Sequence, residues 1–97
     1  MNKYLRLKDE LETNKRGQMK EFGNSMLPII KSGTLLTYEK SESYKVGDVV
    51  FCKVKGRFMT HKIAQISADG KYLITNNRGH ENGWASKNQI YGKVIFE

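Results

Sequence analysis

The sequence has few of the residues that build covalent or metal-centred structure. A single cysteine, Cys52, stands in 97 residues, which excludes an internal disulfide. Its place in an apolar run reads as a small buried hydrophobe, suited to a reducing, cytoplasmic compartment. Cys52 as a nucleophile is the weaker reading, because no neighbour in sequence lowers its pKa. Two histidines and that one cysteine do not make a metal-ligand set at these spacings. Gly79 and Gly83 flank charged residues without a following helix pattern, so no phosphate-cradling loop is expected, and no cofactor. No stretch approaches the roughly 20 apolar residues that cross a bilayer. The longest candidates are Met26 to Ile30 and Val49 to Cys52, and the N-terminus is charged rather than signal-like, so no membrane anchor is expected.

Proline is equally scarce, and the one present closes a distinctive stretch, Gly23-Asn24-Ser25-Met26-Leu27-Pro28. Gly23 permits backbone angles closed to other residues, and Pro28 disfavours helix at Leu27. Such a bend can expose a hydroxyl. A serine in this setting is more often a turn or cap residue bonded to nearby backbone.

What the chain does have is β pattern and positive charge. Residues 3 to 16 read as a helix on the spacing of Tyr4, Leu7 and Leu11, with Gly17 as its stop. Strands are expected over Met19 to Phe22, Thr34 to Glu39, Val49 to Lys55, Phe58 to Ile66, Tyr72 to Ile74 and Ile90 to Phe96. Lys55-Gly56-Arg57 reads as a tight turn, and Asp69-Gly70 is the clearest hairpin signal. Residues 75 to 88 read as a long polar loop, anchored by Trp84. The fold class is therefore mainly β: a small coiled antiparallel domain over 19–97, preceded by a helix or arm over 1–18.

Net charge is +7, split as +2 over residues 1 to 22 (six basic, four acidic) and +5 over the remainder (eleven and six). That balance favours acidic partners, nucleic acid or an acidic protein. Lys53, Lys55, Arg57 and Lys62 are the nearest approach to a basic binding patch, against the alternative of a hairpin edge kept soluble by lysines.

Three pieces in order, Gly23-Asn24-Ser25-Met26-Leu27-Pro28, then Val46-Gly47-Asp48-Val49-Val50-Phe51, then Thr60-His61-Lys62-Ile63, resemble the signal peptidase and LexA-type superfamily of serine proteases. The resemblance covers roughly residues 19 to 97. It implies Ser25 as nucleophile and a base at His61, the histidine of the endoplasmic-reticulum and archaeal branch, where bacterial members carry lysine. A lone histidine between β residues is otherwise commonly a strand-face residue, and His80 competes for the role. The bend residues Gly23, Asn24 and Met26 would supply oxyanion contacts. The family aspartate that orients the histidine follows a Gly-Asp-Asn-Asn segment, whereas this chain has Ile74-Thr75-Asn76-Asn77 there. Glu81, His80 and Asn77 are the candidates left to orient the base.

Two functions follow. One is a minimal serine endopeptidase acting on a peptide or protein substrate through a Ser25/His61 dyad. The other is a binding module on a peptidase fold, gripping nucleic acid or a host or partner protein through its basic surface. Only 24 residues precede Ser25, and the Arg16-Gly17 bond lies 8 residues before the serine, so LexA-style self-cleavage is not expected. A compact form of this fold would suit a phage or mobile-element protein.

Overall fold

A computed structural model describes residues 2–96. Seven strands form one antiparallel sheet in the order β1-β2-β7-β3-β4-β5-β6. They are β1 Arg16–Glu21, β2 Thr34–Glu39, β3 Val49–Val54, β4 Arg57–Ile66, β5 Tyr72–Thr75, β6 Glu81–Ala85 and β7 Ile90–Val94, with one helix, α1 Lys3–Asn14, ahead of them. The mainly β class with one short N-terminal helix is as expected. No helix among the described residues is long and apolar enough to cross a membrane.

The centre of the sheet is β3, buried on both faces. Val49 and Phe51 join one cluster, with Leu7 and Leu11 of α1 and Tyr38 of β2. Val50, Cys52 and Val54 join the other, with Ile63 and Ile74. A strand covered on both sides must be apolar at nearly every position, and Val-Val-Phe-Cys meets that demand. The β3–β4 turn, Lys55-Gly56, has φ of 51° and 79°, the left-handed pair that two-residue hairpins favour. The Cys52 thiol is wholly buried, and desolvation pushes its pKa up to about 12, which removes it as a nucleophile.

Two expectations change. Helix α1 stops at Lys15, itself left-handed at φ 63°, and Gly17 lies inside β1. Its role is close approach: a Cβ there would lie 2.9 Å from the Leu7 Cδ1 that packs the helix down. The supposed loop over 75–88 contains β6 and the start of a short 3-10 helix, Lys87–Gln89. Edge strand β6, Glu-Asn-Gly-Trp-Ala, has no apolar alternation because only its Ala85 is buried. Trp84 lies on that strand opposite Leu73 and is 45% exposed, so it does not anchor a loop.

Candidate active site

The loop between β1 and β2 carries Ser25. Turn-forming residues open it, with Gly23 at φ 110° and its amide donating to Ser32 Oγ at 3.0 Å. Leu27 N–H donates to the Asn24 carbonyl and Ile30 N–H to the Met26 carbonyl, at 3.2 and 2.9 Å. The Leu27-Pro28 peptide is cis. Met26 and Ile30 are driven into the α1-side cluster, which pins the loop and leaves Ser25 partly buried beside β4. Among the described residues, the Ser25 and Met26 amides donate to no acceptor.

His61 stands on β4, paired with Val50 of the central strand. Its Nε2 is 2.9 Å from Ser25 Oγ and its Nδ1 is 2.7 Å from Asn82 Oδ1. With Asn82 Oδ1 accepting from Nδ1–H, the lone pair lies on Nε2 and accepts a hydrogen bond from the Ser25 hydroxyl. Desolvation holds the imidazole below the ordinary histidine range, against an upward pull from the Asn82 bond and from Glu21, and His80 lowers it slightly further. The ring is therefore neutral at pH 7, the state in which it can act as a base.

Asn82 reaches His61 because of a register fault. Ile74 pairs with Gly83 and Thr75 with Glu81, so Asn82 is the extra residue of a β-bulge on β6. A bulge bends the strand and re-aims a side chain. Gly83, at φ 137°, provides the backbone freedom, and a Cβ there would come 3.1 Å from Val54 Cγ1.

The residues expected from sequence fare differently. Ser25 and His61 come together. Asn77 lies at the Ser25 loop instead of at His61, with its amide donating to the Ser25 carbonyl and its Nδ2 to the Leu27 carbonyl, both at 2.8 Å. Glu81 and His80 are exposed, and the Nδ1 partner is the adjacent Asn82. Of the bend residues, Gly23 and Asn24 shape the turn and Met26 is a core anchor. The basic patch divides. Lys53 lies over the Phe58 ring at 5.0 Å, Lys55 is in the turn and Arg57 follows it, and Lys62 points to Asn77. Asp48 caps its own turn, accepting from Lys45 N–H at 2.9 Å.

Two residues near His61 have no clear sequence signal. One is Asn82. The other is Glu21, the carboxylate that acts on His61, whose Oε2 is buried without a hydrogen-bond partner. The turn before β6 was legible in principle: Asn76 Oδ1 accepts from the amides of Arg78 and His80, an Asx-type turn ahead of Gly79 at φ 87°. Such a turn after an apolar run implies a returning strand.

No curated protein matches this chain. The family model described as Peptidase S24-like matches residues 2–95, nearly the whole sequence, and with that match the chain belongs to the Peptidase S24-like family.

Proposed function

We propose that this chain is a serine endopeptidase working through Ser25 and His61, with Asn82 as the third member of a Ser-His-Asn relay. The observation that carries this reading is the single imidazole bonded at both ends, 2.9 Å to a serine hydroxyl and 2.7 Å to a carboxamide oxygen. Ser25 Oγ attacks the carbonyl carbon of a peptide bond as His61 Nε2 takes its proton, and the imidazolium then returns that proton to the leaving amine. Water repeats the cycle on the acyl-enzyme. The free Ser25 and Met26 amides are the natural donors to the developing oxyanion.

The histidine arrangement, rather than the serine-lysine one, is supported by the direction of Lys62, whose ammonium is 3.5 Å from Asn77 Oδ1. One observation favours the second reading, a peptidase-fold binding module for nucleic acid or a protein partner. Asn82 is neutral where the resemblance implies a carboxylate, so the imidazolium receives no charge stabilisation from that partner.

A fluorophosphonate probe separates the two. Labelling of folded wild type that disappears in Ser25→Ala and in His61→Ala is the expected result. A folded wild type that takes no label, while retaining nucleic acid or a protein partner, would leave the binding module in possession.

A further inference from the structure

The Ser25 loop is tied at a second point, by a residue 50 positions away in sequence from the carbonyl it holds. Asn77, in the β5–β6 turn, donates its backbone N–H to the Ser25 carbonyl at 2.8 Å and its side-chain Nδ2 to the Leu27 carbonyl at 2.8 Å. Its Oδ1 faces Lys62 Nζ at 3.5 Å. These contacts define the orientation of the carboxamide. Turned over, the amide would set its oxygen against the Leu27 carbonyl oxygen and its NH2 against an ammonium, two repulsive pairs.

We infer that Asn77 is a positioning residue, which locks the nucleophile loop onto the β5–β6 turn, and that Lys62 holds its carboxamide in the locking orientation. The inference rests on the proposed role of Ser25. The loop's other fastenings do not set the position of Oγ against β4. Met26 and Ile30 seat the loop in the core, and the Gly23 and Gly33 bonds close its base. Among the described residues, only the Asn77 bonds grip the carbonyls of Ser25 and Leu27 from outside the loop. The same turn leads into Asn82, which holds the far side of His61. One hairpin thus places both partners of the Ser25–His61 hydrogen bond, and a small slip of that hairpin lengthens it. A misplacement of about 1 Å at a reacting group costs on the order of a hundredfold in rate.

The test uses two readouts on the whole chain. One is the second-order rate of fluorophosphonate labelling. The other is the His61 Nε2 resonance in a histidine nitrogen-15 spectrum, which contains only two imidazoles. Asn77→Asp keeps the shape, loses the Nδ2 donor and can still face Lys62. It is expected to slow labelling by on the order of 10- to 100-fold. It should also move the Nε2 resonance toward its position in Ser25→Ala, at a melting temperature close to wild type. Lys62→Met, which keeps the stem without the ammonium, should move both readouts the same way by less. Arg78→Ala, at an exposed neighbour in the turn, should leave both at wild-type values.

Wild-type rate and wild-type Nε2 resonance in Asn77→Asp would overturn the inference. So would a slowing that merely follows the loss of folded protein. If wild type takes no label, the peptidase reading fails on its own and the resonance decides: coincident Asn77→Asp and wild-type spectra overturn the positioning role, and a shift toward Ser25→Ala upholds it.

Discussion

The hairpin that carries His61 and the hairpin that carries Asn82 are built from opposite materials. The first, β3–β4, runs through the middle of the sheet, with Val50, Phe51 and Cys52 fully buried and a two-residue turn at its tip. The second, β5–β6, ends at an edge, with a bulge at Asn82 and a polar turn held by Asn76. Apolar packing fixes the strand that carries His61, and single hydrogen bonds hold the side chains that meet its ring. Stability and chemistry should accordingly respond to different substitutions.

The largest effect is expected in the central hairpin. Phe51→Ala removes a fully buried ring that Tyr4, Tyr38, Phe58 and Tyr91 surround, and should cost about 3–5 kcal/mol in denaturant unfolding. Trp84→Ala on β6, at 45% exposure, should cost about 1 kcal/mol or less. Equal losses at the two positions would erase the contrast.

At the edge, the effect is chemical. Asn82→Asp puts a carboxylate on His61 Nδ1, holds its proton there and raises the imidazole pKa. Labelling at pH 7 should rise about tenfold or more. A fall in the rate would mean that the neutral carboxamide is itself required.

The smallest effect tests the electrostatics. Glu21 pulls the His61 pKa upward, so Glu21→Gln should move the midpoint of the labelling rate against pH to a lower value. A midpoint that stays in place would remove Glu21 from the site. The sign for stability follows from the same group. The folded imidazole has a pKa below its unfolded value of about 6.5, so its contribution is present above that pH. As pH falls from there through the folded value, the unfolded chain takes up the proton more readily and stability declines. His61→Ala should flatten this part of the profile.

Much of the molecule follows from the sequence alone. Strand β2 and the central strand are legible, because Leu36 and Tyr38 alternate and because Val50, Cys52 and Val54 mark a strand face, although burial of both faces of β3 is seen only in the fold. So are the turns at Lys55-Gly56 and Asp69-Gly70. The resemblance implies the pairing of Ser25 with a histidine 36 positions later, and the two side chains lie 2.9 Å apart. What could not be read lies at the edge. Strand β6 pairs through its backbone, which leaves no period in its side chains, and Gly17 resembles a helix stop although it clears room for Leu7. The side chain that meets His61 Nδ1 was decided only by tertiary structure. A bulge has no sequence period, and one extra residue between Glu81 and Gly83 is what turns Asn82, in place of its neighbours, toward the imidazole. The grip of Asn77 on the Ser25 loop is of the same kind: a contact across 50 residues that exists because the folded sheet brings two turns together.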